Sequence, residues 1–465
     1  MGGEQASAYY RQPGVRARIW EYCGGRGKQA ATCEYLAGYP RAQGAARMIA
    51  PRERLDELLE AGVDISRSAW DQSSLLFCLD LDYVNFDHRG EAYVAPARVF
   101  GLLEPVYQAV RQVLGLKRIE HLAVMTGKGY HFAWRVRLED PVVSRLAARG
   151  RLPESMLAKY RHDRVCSRRL VAERAGQAEH GAGMVMEYLC HRVLEEVRGE
   201  LPVVGNGVTV LPGERGREAA SLDLSGYGDP LYLRNFRCVF SSYQKQHAER
   251  AWVGDGIADG TPTQYCLPRS GHSLDHLLAA RRDPQAAGEL ARAGSGEIPE
   301  AGAGMERALA AYLGSRLRAF HDQFYDAQPD LPERWPEGYG RVELGALPAC
   351  AAEPLARPND LLLDPTNLQT VSRVLGARGW HPRHIAGLVR SRYESDYGWG
   401  WAWAEADAAY RAEAYVRLLQ GLAAAGLDRP EEVGCAAQQQ RGACPRPWCG
   451  HDLARYRRAT YRAGR

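Results

Sequence analysis

The sequence predicts a mixed α/β chain of the α+β type, and three segments carry this prediction. Residues 75–83 form an apolar run that is typical of a buried strand. Residues 132–136 alternate in character, as the two faces of a second strand do. Between them, residues 95–114 repeat apolar side chains at steps of three and four, the spacing of a helix that buries one face. Strands and helices are therefore expected in the same part of the chain.

Length and composition limit the possible classes of protein. The 465 residues are enough for two or three domains. Because the chain has no apolar run of membrane-spanning length and no N-terminal signal pattern, we expect a cytoplasmic protein with no membrane partner. The eleven cysteines are an odd number and lie mostly apart, which argues against a disulfide framework. A net charge of +4 is too small to predict nucleic-acid binding by itself.

The apolar run at 75–83 ends in two acids, Asp80 and Asp82. Successive side chains of a strand point to opposite faces, so these two carboxylates would project from the same face. Neighbouring carboxylates repel each other, and a divalent metal ion would offset that repulsion. An acidic turn at the end of a strand is the alternative, and it is the commoner explanation of an isolated Asp-x-Asp pair.

A predicted hairpin follows the helix. Residues 121–125 form its first strand, and the turn at 126–131 contains Lys128, Gly129 and His131. Glycine amides, a lysine and a histidine could together cradle a polyanion, because backbone N–H groups and cations suit phosphate oxygens. The alternative is an ordinary polar histidine near a hairpin.

A third acid, Asp223, lies on an apolar stretch at residues 221–225, after an expected strand at 202–209 and a polar loop at 211–219. The cations Arg234, Arg237 and Lys245 follow it. An acid for a metal and cations for phosphate belong together only if they face one nucleotide. Residues 142–198, before Asp223, are helical and basic. We expect a solvated face there, and a nucleic-acid surface is the alternative.

The C-terminal half divides into two regions. Residues 261–357 are rich in Ala, Gly, Pro and Arg and are interpreted as a linker with one helical segment at 305–324. Residues 358–465 are interpreted as a helical domain, with helices at 366–376, 382–393 and 404–425. Aromatic residues between these helices are expected in core packing rather than in base stacking; they are Tyr397, Trp399, Trp401 and Trp403.

Three cysteines and a histidine lie close together near the end of the chain. Cys435, Cys444, Cys449 and His451 have the spacing C-x8-C-x4-C-x-H. They could form a tetrahedral zinc site, or three of them could hold part of an iron–sulfur cluster with a fourth ligand from elsewhere. Unrelated thiols in a basic tail are the alternative. The neighbouring arginines would attract phosphate; they are Arg441, Arg446, Arg455, Arg457 and Arg458.

The three separated motifs resemble those of the archaeo-eukaryotic primase superfamily, the primase-polymerases. That family's hDhD strand is matched by residues 79–82, and its Gly-rich turn ending in x-H by residues 126–131. Its later acid is matched by Asp223, followed by a basic segment. The resemblance covers about residues 65–250. The chain departs from the pattern in a long helical insertion after the second motif, and Asp229 competes with Asp223 as the third acid.

The resemblance implies a catalytic domain over residues 1–260, built on an RRM-like sheet. Two Mg²⁺ or Mn²⁺ ions would be held by Asp80, Asp82 and Asp223. The incoming nucleoside triphosphate would be gripped by six residues: Lys128, Gly129, His131, Arg237, Ser241 and Lys245. The C-terminal helical region looks like the accessory domains that accompany such cores.

The implied function is template-dependent DNA priming and primer extension on a single-stranded DNA template. Replication, mobile-element or defence-system proteins are the partners expected with it. A non-catalytic replication initiator or nucleic-acid-binding protein that keeps the fold is one alternative. A metal-dependent phosphohydrolase that uses the same acids is another.

Overall fold

The structure is a computed structural model that describes residues 2–41, 47–162, 164–165, 169–197, 203–205, 212–213, 215–228, 235–269, 271–399, 406–428 and 434–456. Its helices are Gly2–Tyr10, Val15–Tyr22, Leu55–Glu60, Glu91–Val94, Pro96–Leu116, Pro141–Arg149, Glu154–His162, Glu173–Glu196, Lys245–Ala248, Arg250–Val253, Asp255–Gly260, Leu274–Ala280, Pro284–Ala293, Gly302–Leu313, Arg316–Asp326, Ala349–Ala356, Asn359–Leu363, Pro365–Ala377, Pro382–Tyr393, Ala408–Ala425 and Cys435–Gln440. Single 3₁₀ turns lie at Arg52–Arg54, Ser225–Tyr227, Pro332–Arg334, Tyr339–Arg341 and Leu344–Ala346. Its strands are β1 Leu36–Tyr39, β2 Met48–Ala50, β3 Asp64–Ser68, β4 Ser74–Asn85, β5 Leu122–Met125, β6 Gly129–Arg137, β7 Arg164–Val165, β8 Arg169–Leu170, β9 Val203–Gly205, β10 Pro212–Gly213, β11 Gly216–Asp223, β12 Asn235–Arg237, β13 Ser242–Tyr243, β14 Gln264–Tyr265 and β15 Leu267–Pro268.

The main sheet has seven strands in the order β10-β11-β4-β6-β5-β15, with β9 paired to β11. The pair β9–β11 is parallel, and the other described pairs of this sheet are antiparallel. This mixed α/β architecture with antiparallel sheets confirms the coarse fold class that the sequence predicts. Because β4 lies between β6 and β11, the acidic strand is paired on both of its edges.

Strand β4 has one buried face and one half-exposed face in the stretch that carries the acids. Leu79, Leu81 and Tyr83 are buried, whereas Asp80 and Asp82 between them are partly exposed. This is the period of two that a strand imposes on its side chains. The two carboxylates therefore share one face, as the sequence predicts.

Helix Pro96–Leu116 covers the opposite, apolar face of the sheet. The ring of its Tyr107 lies 4.7 Å from the ring of Tyr130 and 5.4 Å from that of Phe132. Both partners are on β6 and flank His131, so His131 points to the other face. Packing behind the sheet thus fixes which side chains of β6 face the acids.

A second sheet of four strands has the order β12-β3-β1-β2. Three of these strands, β1, β2 and β3, come from the first 70 residues. They are three to five residues long, which is too short for a clear alternation of apolar residues. The fourth strand, β12, is antiparallel to β3 and carries Arg237 into this sheet.

The first part of the region interpreted as a linker is packed into the main domain, and its later part, from Phe324 onward, belongs to the second core. Strand β15 pairs with β5 at the edge of the main sheet. Trp134 Nε1 donates a hydrogen bond of 3.1 Å to the sulfur of Met305, in helix Gly302–Leu313. Within this region, the main core includes residues as far along the chain as Leu317. The many alanines and glycines of this region therefore allow close packing instead of forming a flexible connector.

The C-terminal helices build a second core and also contact the main domain. Helices Pro365–Ala377, Pro382–Tyr393 and Ala408–Ala425 lie where the apolar periodicity predicts them, and Trp399 packs against their core. Trp401 and Trp403 lie outside the described residues. No helix of the described part of the chain is both long enough and apolar enough to cross a membrane.

Two polar contacts join the C-terminal helices to the main domain. Tyr410 Oη donates a hydrogen bond of 3.1 Å to the carbonyl oxygen of Tyr227. Arg417 Nε donates one of 3.2 Å to Glu187 Oε2, and both side chains are buried. The helical region is therefore joined to the main domain by a buried polar interface.

Candidate functional site

Acids of two strands and a histidine of a third meet on the half-exposed face of the main sheet. These four residues, Asp80, Asp82, Asp223 and His131, are called the acid row below. Asp80 of β4 is directly opposite His131 of β6 on one side and Asp223 of β11 on the other. Directly opposed residues of antiparallel strands point to the same face. Asp82 lies two residues further along β4 and shares that face. Three acids and one histidine from distant parts of the chain are thus neighbours.

Strand β11 begins earlier than the sequence predicts. The expected loop at 211–219 is a strand from Gly216 onward, and the strand ends at Asp223. Ala219 and Ala220 are fully buried in it. Because alanine side chains are small, residues 211–219 show no clear apolar pattern, and the sequence predicts a loop where the strand in fact begins.

Gly129 contributes to the site through its lack of a side chain. It pairs with Asp82 across the strands, and a Cβ at this position would overlap the carbonyl oxygen of Leu81. Any larger residue would therefore push β6 away from β4 beside the second acid. Gly129, predicted to bind nucleotide through its amide, has a close-packing role in this structure.

The acid row forms one wall of a cleft of about 460 Å³. Asp80, Asp82, His131 and Asp223 line it from the main sheet. Residues of the second sheet and of the segment that follows it line the other side, among them Asp64, Asn235, Arg237, Tyr243 and Lys245. The cleft therefore has carboxylates on one side and cations on the other.

Arg237 is held in the cleft wall by an acid and two aromatic rings. Its Nη1 lies 2.8 Å from Asp64 Oδ2. Its guanidinium lies 5.6 Å from the ring centre of Tyr39 and 4.8 Å from that of Tyr243. Burial lowers the pKa of Arg237, but Asp64 and other neighbours raise it above the ordinary value, so this group stays charged. Arg237 is a fixed positive charge facing the acids.

Two lysines share the carboxylate of Glu249. Lys128 Nζ lies 2.6 Å from Glu249 Oε2, and Lys245 Nζ lies 3.3 Å from Oε1. Burial lowers the pKa of Lys128, whereas the neighbouring Tyr243, followed by Glu249 and Asp82, raises the pKa of Lys245. Lys245 lines the cleft with about half of its side chain exposed, and Lys128 lies behind the wall against the ring of Tyr93.

The electrostatic environment favours uncharged forms at two positions of the acid row. Burial raises the pKa of Asp82, Asp223 raises it further, and Lys245 and Lys128 oppose this shift. Burial, followed by Arg237 and Lys245, lowers the pKa of His131 to about 4. His131 is therefore neutral near pH 7, with Nε2 3.5 Å from Asp80 Oδ1. Its Nδ1 has no hydrogen-bond partner among the described residues.

Some predicted residues lie away from the cleft or outside the described chain. Ser241 is fully buried, and its hydroxyl accepts a 2.7 Å hydrogen bond from Ile65 N and donates one of 2.9 Å to Ser242 O. This hydroxyl supports the strand connection behind Arg237. Asp229, the competitor of Asp223, and Arg234 lie outside the described residues.

Sequence reasoning missed two acids of the cleft. Asp64 accepts hydrogen bonds of 2.8 Å from the hydroxyl of Ser242 and from Gln244 N, besides its contact with Arg237. Glu179 lines the cleft from helix Glu173–Glu196, and its burial raises its pKa to about 8. Asp64 begins a five-residue strand that is too short to show a clear periodicity, so no local pattern indicated it. Glu179 is one of several acids of its helix, and nothing in the sequence distinguishes it from the others.

The terminal cysteines lie near a fourth thiol, that of Cys350, which their spacing in the sequence does not indicate. Burial and, after it, Cys444, Cys435 and Cys449 raise the pKa of the Cys350 thiol to about 12. A hydrogen bond from the backbone of Ala349, the residue before Cys350, lowers the pKa of Cys449. The ring of His451 instead hydrogen bonds to Tyr456 Oη at 3.0 Å.

In the described part of the chain, no group of three or more His, Cys, Asp or Glu side chains has the spacing of a formed metal site. Comparison of the chain with protein-family models, with curated proteins and with solved structures finds no match.

Proposed function

We propose that this chain is a template-dependent DNA primase-polymerase that joins nucleotides by metal-dependent nucleotidyl transfer. The observation that carries the proposal is the row Asp223–Asp80–His131 across three strands, with Asp82 on the same face. Arg237 and Lys245 face this row across one cleft. A metal–triphosphate complex needs both halves: oxygen ligands for cations and cations for phosphate.

The acid row fits hard divalent cations. Asp80, Asp82 and Asp223 offer only oxygen donors, which Mg²⁺ and Mn²⁺ prefer. Burial opposes the charged form of Asp82, and a bound cation would favour that form. When bound, a pair of such ions supplies activation of a hydroxyl nucleophile and neutralisation of the leaving pyrophosphate.

Arg237 and Lys245, called the cationic wall of the cleft, would bind and orient the triphosphate. The rigid guanidinium of Arg237 can meet two phosphate oxygens at once, because Asp64 and the flanking rings fix its plane. Lys245 adds a mobile charge at the rim of the cleft. Neutral His131 can donate one hydrogen bond to a phosphate oxygen. In phosphoryl transfer, such positioning and electrostatic stabilisation supply most of the rate enhancement.

The terminal thiols support a separate metal proposal. Cys350, Cys435, Cys444 and Cys449 would hold one zinc ion or one iron–sulfur cluster, with His451 as the other candidate ligand. Elemental analysis of the purified protein should find zinc or iron, and visible absorbance would indicate the cluster. Cys350→Ser should lower the metal content, whereas Cys190→Ser, which changes a buried thiol of the main core, should not. Finding neither metal would contradict this assignment.

Incubation with a single-stranded DNA template, labelled nucleotides and Mg²⁺ or Mn²⁺, with and without a primer, tests the proposed activity. We expect products longer than the primer whose sequence follows the template. Release of phosphate or pyrophosphate without a longer strand would instead indicate a phosphohydrolase. Template binding with no reaction and no nucleotide binding would indicate a non-catalytic nucleic-acid-binding protein.

A further inference from the structure

The loop between Cys444 and Cys449 presents a tryptophan to solvent. The side chain of Trp448 is 94% exposed, the highest value among the exposed large apolar residues of the described chain. A tryptophan with this exposure offers a large apolar face to a partner, and tryptophans are enriched at interfaces.

Two prolines restrict the backbone of the loop that carries Trp448. Its sequence is Pro445-Arg446-Pro447-Trp448, and all four residues are exposed. The two prolines fix φ at alternate positions and reduce the freedom that the loop would lose on binding a partner. Cys449 follows directly, and its contact with the backbone of Ala349 anchors the end of the loop. The backbone that carries Trp448 therefore has reduced freedom.

The excess of positive charge in the C-terminal segment that contains Trp448 favours a polyanionic partner. Residues 434–465 contain seven arginines and one acid, Asp452. Arg446 and Arg455 are exposed. Neither forms an ion pair with a residue that the structure describes. An exposed indole close in sequence to exposed arginines matches the combination of stacking and phosphate contacts that single-stranded nucleic acids require.

A hydrogen bond joins the helix before this loop, Cys435–Gln440, to the strand that carries Asp223. Arg217 Nη1 donates one of 3.3 Å to the carbonyl oxygen of Gln440, the last residue of helix Cys435–Gln440. Arg217 and Asp223 lie on the same strand, β11, at a separation of about 20 Å from the rise of a strand. Helix Cys435–Gln440 thus contacts the strand that ends at Asp223.

We propose that Trp448 stacks on a base of a single-stranded nucleic acid while Arg446 contacts its phosphate, so that this loop guides the template toward the acid row. The inference rests on the proposed function for the identity of the strand. The binding itself needs neither a metal ion nor a nucleotide in the cleft.

The test is the anisotropy of a fluorescein-labelled single-stranded oligodeoxynucleotide, titrated with the full-length protein without metal or nucleotide over a range of salt concentrations. Trp448→Ala should weaken binding about 5- to 100-fold, the range for loss of one base stack, and Trp448→Phe should retain most of the affinity. Arg446→Gln should reduce the slope of log K against log salt by about 0.7, whereas Trp448→Ala should leave that slope unchanged. Trp252→Ala is the matched control, because that ring is also exposed, at 65%, and we expect no change in binding.

Equal binding by the wild type and Trp448→Ala would overturn the inference, as would a wild type that does not bind the oligonucleotide. Wild-type protein that forms dimers or higher oligomers, reversed by Trp448→Ala, would show instead that the ring contacts a second copy. Failure of the proposed function appears elsewhere, in the nucleotide-incorporation assay. Asp80→Asn should lose incorporation and still bind the oligonucleotide through Trp448.

Discussion

Asp80 and Asp223 lie directly opposite each other on neighbouring antiparallel strands, β4 and β11. Their carboxylates share one face of the sheet, although they come from distant parts of the chain. A sheet that needed only stability would gain from replacing one of them, because like charges directly opposite are destabilising. This relationship is the structural basis for assigning the cleft a chemical role.

Replacing either acid by its amide should separate activity from stability. Asp80→Asn and Asp223→Asn should each lower nucleotide incorporation by about 10²-fold or more, because each removes an anionic ligand. The free energy of unfolding should stay constant or rise, since one repulsion is removed. Incorporation rates and urea unfolding measure the two effects. Asp255→Asn, at an exposed acid paired with Arg250, is the control and should change neither.

Lys245 offers the cleanest test of the cationic wall, because about half of its side chain is exposed. Lys245→Gln should raise the KM for nucleoside triphosphate about tenfold with little loss of stability, since it removes one charge from the phosphate region. Steady-state kinetics at varied nucleotide concentration measure the effect. The exposed Lys28 provides the control variant Lys28→Gln. An unchanged KM in Lys245→Gln would place the triphosphate elsewhere.

Glu179 should make the protein less stable at alkaline pH. Its burial raises its pKa to about 8, above the value of about 4.3 of an unfolded chain. Its contribution to stability is therefore complete below about pH 4.3 and is lost as the pH rises through 8. Glu179→Gln mimics the protonated form, so its gain in melting temperature over the wild type should be larger at pH 9 than at pH 5. The same difference at both pH values would show that Glu179 is not buried as described.

The interface between the two cores depends on Glu187. Its carboxylate lies 3.1 Å from the Nε2 atom of His321 and 3.2 Å from the Nε atom of Arg417, and all three residues are buried. Glu187→Gln would leave Arg417 as a buried charge without its anion, at a cost of about 3–5 kcal/mol in the free energy of unfolding. Glu195→Gln, at an exposed position of the same helix, should cost less than about 1 kcal/mol. Urea unfolding of both variants makes the comparison.

The sequence predicts an element correctly where the residues of that element alone show an apolar periodicity or a turn signal. The alternation around Asp80 and Asp82 and the hairpin before His131 are local signals, and the structure has β4 and β6 at these positions. Two predicted residues, Lys128 and Ser241, instead have structural partners, because Glu249 and the backbone of Ile65 approach them from other parts of the chain. Such contacts depend on how elements pack and leave no local pattern.

The rest of the cleft depends on contacts between distant short elements. Asp64 reaches Arg237 only because β3 pairs with β12, and each of these strands is five residues or shorter. Glu179 becomes buried only when its helix packs beside the sheet. Residues 261–357 look like a linker by composition, yet those as far as Leu317 join the main core. Register between strands and helix packing are long-range properties, so periodicity along the chain does not reveal them.

Metal-dependent nucleotide binding tests the central claim most directly. Isothermal titration of the wild type with a deoxynucleoside triphosphate, with Mn²⁺ or with excess chelator, measures it without template or turnover. The account predicts binding that requires Mn²⁺, is lost in Asp80→Asn and persists in Asp255→Asn. Nucleotide binding that is equally tight in the chelator, or unchanged in Asp80→Asn, would contradict the assignment of the row Asp223–Asp80–His131 as a metal–triphosphate site.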